Sequence, residues 1–152
     1  MKASIITGAL VALFTGIAIT LQSTLASRAG SIIGDFRTGI LINAMGGLIA
    51  GTLISLSFLW KGPQMGSVPR IVIAMTAVSG LLGVFIVTGI SFSLQRAGVA
   101  AGLASVILGQ LVFSFLIDAF GIGGVEAIPL SFSRVLGILI TGFGVYLLLP
   151  KA

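Results

Sequence analysis

Five long apolar runs follow one another along this chain, and the connections between them are too short to hold any other domain. A helix that crosses a bilayer needs about 20 mostly apolar residues. Residues 5–26, 39–60, 71–92, 99–120 and 135–149 read as five such spans. The second has an alternative, earlier start capped by Asp35. The last, short one either starts near Pro129 or sits in a locally thinned bilayer. Charged residues make up 7% of the 152 and hydrophobic ones 57%. A soluble domain carries about 25% charged residues, so this chain could not clothe a globule in water. The expectation is an all-α, polytopic membrane protein with about five transmembrane helices, one membrane domain over residues 1–152, placed in the cell membrane. The first run, behind Lys2, imitates a secretory signal but is too long for its apolar core, and it reads as a retained span.

Between the spans, "KGPQMGSVPR" (residues 61–70) is the clearest loop, with two prolines and two glycines. "GIGGVEAIPLSFSR" (residues 121–134) makes the last connection. The sequence has no cysteine and no histidine. That removes disulfides, thiolate chemistry, histidine-ligated metals and the usual nucleophile–histidine pairs. No enzyme, metal or cofactor is expected. The net charge of +5 comes from single basic residues set between apolar runs. They read as interface anchors around lipid, not as a nucleic-acid track.

Five spans would put the termini on opposite sides. Lys2, Lys61, Arg70 and Arg134 then fall on one side, and Arg28, Arg37, Arg96 and Lys151 on the other. Orientation follows an excess of Lys and Arg in cytoplasmic loops, and four against four leaves none. Two readings stay open: a weak signal rescued by the first span or a partner protein, and dual topology with antiparallel pairing.

Small residues recur every fourth position in the first two spans. Gly8, Ala12, Gly16, Thr20 and Thr24 share one face, and Asn43, Gly47, Gly51 and Ser55 share another. Such stripes let membrane helices approach closely, so Gly8, Gly16, Gly47 and Gly51 read as packing positions and Asn43 as interhelical glue. Gln22 lies nearly opposite the first stripe, on a sparsely polar face suited to lining a path.

The fourth span carries the most telling polar groups. In "LGQLVFSFLID" (residues 108–118), Gln110, Ser114 and Asp118 stand four apart and so line one helical face. Gln110 falls near mid-span, and Asp118 lies about 12 Å further along the axis, near one interface. Ionisable residues inside a membrane are functional candidates by default. The competing reading pairs Asp118 in the headgroup region with Arg28, Arg96 or a backbone amide.

Two stretches, "SGLLGVFIVTGISFSLQRAGVAAGLASVILGQLVFSFLIDAFG" (residues 79–121) and "PLSFSRVLGILITGFGVYLL" (residues 129–148), resemble the YdcZ-type family of the drug/metabolite transporter superfamily. "LQSTLASRAG" (residues 21–30) resembles it more loosely: Ala26 stands near where that family would show asparagine, and residues 43–47 replace its phenylalanine–glycine pattern. The resemblance implies a drug/metabolite-transporter-like bundle: a five-span unit equal to half of a ten-span transporter, working as a dimer and often antiparallel. The activity it implies is secondary transport with no agreed substrate class.

The resulting expectation is a small secondary transporter, exporter or facilitator, using alternating access around a site between repeats. Gln22, Gln110, Ser114, Asp118 and Phe113 are the candidate pathway residues. The amides would hydrogen-bond a solute, and Phe113 would take its apolar part. Asp118 is the first candidate for proton coupling. The related small multidrug exporters carry a carboxylate in their first span, which is missing here, so a neutral or zwitterionic solute fits better than a cationic drug. A passive channel and a structural or lipid-handling subunit are the alternatives. The expected partners are membrane lipid, a small solute, and a second copy or a paralogous chain.

Overall fold

The structure, a computed structural model, describes residues 2–61, 68–122 and 126–151. Most of the loop expected at 61–70 and part of the one at 121–134 lie outside them. Five helices account for nearly all of the described residues: α1 (Lys2–Ile33), α2 (Asp35–Lys61), α3 (Arg70–Ala97), α4 (Val99–Phe120) and α5 (Phe132–Leu148). The described residues contain no strand. The first four helices are long and apolar enough to cross a membrane. The fifth, at 17 residues, reaches about 26 Å against a hydrocarbon core of about 30 Å. The protein is an all-α, multi-pass membrane chain.

The helices overrun the apolar runs. α1 continues past Ala26 to Ile33, and α2 begins at Asp35. The polar segment between them, which the hydropathy reads as a connection, is helical except for one residue. Nothing in "SRAGSII" breaks a helix, and near a bilayer interface its polar side chains can reach water. Gly34 makes the break with φ +89°, a backbone region that a Cβ makes costly. Its N–H donates to the Gly30 carbonyl (2.9 Å), and its own carbonyl accepts from the Thr38 N–H (3.1 Å). One glycine thus ends α1 and starts α2.

Gly98 repeats the device between α3 and α4. It has φ +80°, donates to Leu94 and accepts from Gly102, both at 3.0 Å.

The chain forms two compact units, Met1–Phe92 and Ser93–Ala152. In the first, α2 and α3 run antiparallel. Asp35 faces Ser91, Gly39 faces Val84 and Thr88, and Asn43 faces Gly83. The Ser91 hydroxyl is fully buried. It donates to Asp35 Oδ1 at 2.5 Å, and the Ala26 carbonyl of α1 lies 3.2 Å away. One hydroxyl therefore ties three helices together at one end.

Close approach in this unit depends on glycines other than those of the four-residue stripes. A Cβ on Gly39 would stand 2.7 Å from the Val84 carbonyl oxygen, and one on Gly83 would stand 2.6 Å from Asn43 Oδ1. Gly8, Gly16, Gly47 and Gly51 have nothing within 4 Å of where a Cβ would be. These four glycines are uncovered among the described residues. On α1 the buried positions are instead Ser23, Ala26 and Gly30. Asn43 does reach α3, while its amide donates to the Gly39 carbonyl at 2.9 Å.

In the second unit, α4 and α5 are joined by a loop whose described part returns onto α4. Gly121 ends α4 in the left-handed conformation with its N–H on the Ile117 carbonyl, a common glycine cap. The Ile128 N–H donates to the Asp118 carbonyl at 2.9 Å. Ser131 then caps α5, its side chain accepting from the Arg134 N–H. Gly102 packs on the end of α3: a Cβ there would meet Leu94 at 2.9 Å.

Two glycine substitutions should therefore move stability in opposite directions. Gly39→Ala is expected to destabilise by about 1–3 kcal/mol, the usual cost of overpacking. Gly80, helical and with nothing within 4 Å, should gain up to about 1 kcal/mol as alanine. Thermal unfolding in one detergent compares the two, with a lower midpoint expected for the first and an equal or higher one for the second.

Candidate functional site

Between α4 and α5, the second unit holds a cleft of about 360 Å³. α4 lines it with Leu111, Ser114, Phe115 and Asp118. These are positions i, i+3, i+4 and i+7, one face of a helix. α5 contributes Arg134, Gly137, Ile138 and Thr141 at the same spacing. The two faces run antiparallel, so Asp118 and Arg134 meet at one end while Leu111 and Thr141 mark the other. Seven residues of helix make that length about 10 Å. Gly137 helps to keep the cleft empty, for nothing lies within 4 Å of where its Cβ would be.

The polar end is an ion pair. Arg134 Nη2 donates to Asp118 Oδ2, and both side chains keep about a third of their surface, 32% each. The guanidinium lies 5.4 Å from the centroid of the Phe115 ring, within cation–π range. Nη1, the other terminal nitrogen, is buried with no acceptor among the described residues.

The magnitudes are unequal. A partly exposed pair contributes at most about 1 kcal/mol, whereas a shielded donor without an acceptor costs about 1–3 kcal/mol. Arg134 is therefore not in its best hydrogen-bonded state.

The hydroxyls differ in availability. Most serines and threonines of the chain donate back into their own helix: Thr15 to the Val11 carbonyl, Thr20 to Gly16 and Thr24 to Thr20. Thr141 likewise donates to Gly137 at 2.9 Å, which leaves its oxygen lone pairs for the cleft. Ser114 makes no such bond, so among the described residues its hydroxyl has no partner.

Of the residues singled out from the sequence, the cleft brings together Ser114 and Asp118. Gln110 is exposed and sits about 100° round α4 from Leu111, outside the lining. Phe113 is 64% exposed and stands about 200° from Leu111, on the far side of α4. Gln22 belongs to the first unit and is exposed on α1. Neither glutamine has a hydrogen-bond partner among the described residues.

The partner of Asp118 is Arg134, not Arg28 or Arg96. Sequence reasoning placed Arg134 in a connection, as an interface anchor. The signal that it belongs to α5 was present in Ser131, a good N-cap three residues earlier. Phe115 and Thr141 were not singled out either. Their positions follow once α5 is started at Phe132 and its i, i+3, i+4, i+7 face is set against that of α4.

Residues 7–147 match the family described as "Putative inner membrane exporter, YdcZ". The chain belongs to that family and is a multi-pass protein of the inner membrane. No curated protein and no solved structure matches it.

If the Asp118–Arg134 contact carries energy, it should appear in a double-mutant cycle. Asp118→Asn and Arg134→Gln are each expected to destabilise the chain, and the double variant to lose about 1 kcal/mol less than their sum. Unfolding in mixed micelles measures all four proteins. Additive losses would mean that the pair contributes nothing measurable.

Proposed function

We propose that the protein moves a small solute across the inner membrane by alternating access, as a dimer, with the α4–α5 cleft on the solute's path. The observation that carries this reading is the cleft. It lies between two apolar helices, has about 360 Å³ of room and places an ion pair at one end. Ligand sites are typically concave and mostly apolar with a few convergent polar groups, from about 300 Å³ upward. A volume at that lower bound suits a small solute. The family's description as an exporter supports outward transport.

Ser114 and Asp118 act within the cleft. Gln110, round the helix from it, and Gln22 on α1 bring amides to faces that a solute or a second copy would meet. The uncovered stripes through Gly8 and Gly16, and through Gly47 and Gly51, support pairing between copies, since exposed small-residue faces let membrane helices approach. The equal division of basic residues supports an antiparallel pair. In this reading the site binds and releases, and no bond is made or broken.

Filling the cleft tests transport. The protein is reconstituted into liposomes loaded with a panel of labelled small solutes, and Gly137→Leu is compared with the parent. At least one solute should show saturable flux in the parent, with its initial rate at least tenfold lower in the variant and detergent elution unchanged. Flux that never saturates and follows voltage would favour a channel instead. No flux for any solute would favour a subunit without a site of its own.

Topology has a separate test. The chain has no native cysteine, so a Val68→Cys variant, just before α3, reports orientation. An impermeant maleimide should label about half of the protein in intact cells if insertion is dual. Labelling near all or none would rule out the antiparallel pair of identical chains.

A further inference from the structure

The polar end of the cleft has unspent valence on both partners. Arg134 commits Nη2 to Asp118, while Nη1 has no acceptor among the described residues. Asp118 commits Oδ2, while Oδ1 has no partner among them. A spare donor and a spare acceptor of opposite charge therefore belong to one salt bridge whose two residues line an apolar slot. From this the geometry points to a zwitterionic solute, an α-amino acid with an apolar side chain, as the ligand of the cleft. The inference rests on the transport reading in placing a solute there, and adds what kind of solute it is.

Charge decides between the candidate ligands. Asp118 and Arg134 together are neutral. A simple anion on Nη1 would leave the cleft with a net negative charge beside its apolar walls. A simple cation on Oδ1 would leave it net positive. Uncompensated charge in a poorly solvated place is strongly unfavourable. A zwitterion adds no net charge and meets both needs with the protein's own pair intact. Its carboxylate accepts from Nη1 after a small turn of the guanidinium toward the cleft, and its ammonium donates to Oδ1. The Ser114 hydroxyl, without a partner among the described residues, gives the head a further polar neighbour.

The rest of the ligand lies along hydrocarbon. Leu111, Phe115 and Ile138 line the slot beyond the ion pair, and the absent side chain of Gly137 leaves the width for a branched group. A polar side chain on the solute would find only Thr141 at the far end, with its hydroxyl hydrogen already given to Gly137. The slot thus selects for an apolar body as well as a doubly charged head.

Three probes sharing one body separate the possibilities without any variant. L-leucine carries both charges, 4-methylpentanoate lacks the ammonium, and 3-methylbutylamine lacks the carboxylate. Binding of each to the purified full chain in nanodiscs is measured by calorimetry at neutral pH. Leucine is expected to bind at least tenfold more tightly than either analogue. Arg134→Lys, which keeps a charge for Asp118 but loses the planar second nitrogen, should lower leucine affinity at least tenfold while the thermal midpoint stays near the parent's.

Equal binding of leucine and 4-methylpentanoate would replace the inference with an anion site, and equal binding of the amine with a cation site. No binding by any of the three would overturn it. Transport is read separately in proteoliposomes. Leucine that binds but never crosses would uphold the inference and end the transport reading. Saturable flux of a solute that leucine does not displace would do the reverse.

Discussion

Lipid offers these helices no hydrophobic reason to touch each other. Acyl chains solvate leucine as well as another leucine does, so helix association must come from close dispersion contact and from polar groups. The structure follows that constraint closely. Its large apolar side chains, Phe14, Leu25, Ile71 and Phe85 among them, point outward, and what is buried is mostly small: Ser23, Ala26, Thr38, Ser91, Ala101. Backbone groups are satisfied within each helix, as a medium without water requires. The hydroxyls of Thr15, Thr20, Thr24 and Thr52 turn back to their own carbonyls for the same reason. Longer or charged polar side chains cannot all be hidden so cheaply. Wherever one stands in a helix of this protein, it must find a partner or serve one.

Two aspartates resolve that demand in different ways. Asp35 opens α2, where a carboxylate is favoured by the helix N-terminus, and it accepts from the buried Ser91 hydroxyl. That bond ties α2 to α3 beside the Ala26 carbonyl of α1. Asp118 lies in the last turn of α4, where the backbone dipole opposes an anion. It is held there by Arg134, from the first turn of α5. A cation at a helix start is likewise not where the dipole would put it. The helix ends oppose both charges, and the pair persists because each answers the other. Asp35 is thus a structural acid, whereas Asp118 sits in an arrangement that local electrostatics alone would not choose.

Much of the fold was legible because its signals are long. Runs of about 20 apolar residues announce α1 to α4, and "LQRAGVAAG" marks the one-residue joint at Gly98. At Gly34 only the start of α2 was legible, through Asp35 as a cap, and the continuation of α1 to Ile33 was hidden. "SRAGSIIGDFR" looks like a connection by hydropathy, yet only Gly34 departs from helix, because polar residues near an interface do not by themselves unwind a chain. The candidate cleft was half legible. Ser114 and Asp118 declared themselves by their spacing on α4, but periodicity within one span cannot say which neighbour faces it. Arg134 was missed for that reason and because α5 was started three residues late, which left its arginine in the loop. The small-residue stripes were legible as stripes. That α2 and α3 meet through Gly39 and Gly83 was not, since a glycine in a sequence does not say which of its sides is crowded.

A transport site differs from a storage site in how completely it is satisfied. Binding must be strong enough to capture a solute and weak enough to let it go, and a site that supplies every charge with a full partner leaves little for the solute to change. In the α4–α5 cleft the protein supplies half of each. Asp118 and Arg134 spend one atom apiece on each other, which makes the empty cleft affordable beside lipid. On the proposed reading, a solute meets only what remains: one nitrogen, one oxygen, a hydroxyl and apolar walls. Each contact is modest and none requires the ion pair to break, so the solute leaves as readily as it enters. Were Asp118 replaced by an apolar residue, the unpaired guanidinium would demand a counter-charge and bind anions tightly. Were Arg134 replaced, the slot would lose its only cation. If the cleft carries a solute as proposed, the carboxylate sets how strongly the arginine holds it, and moderation of that kind is what a carrier needs from a binding site.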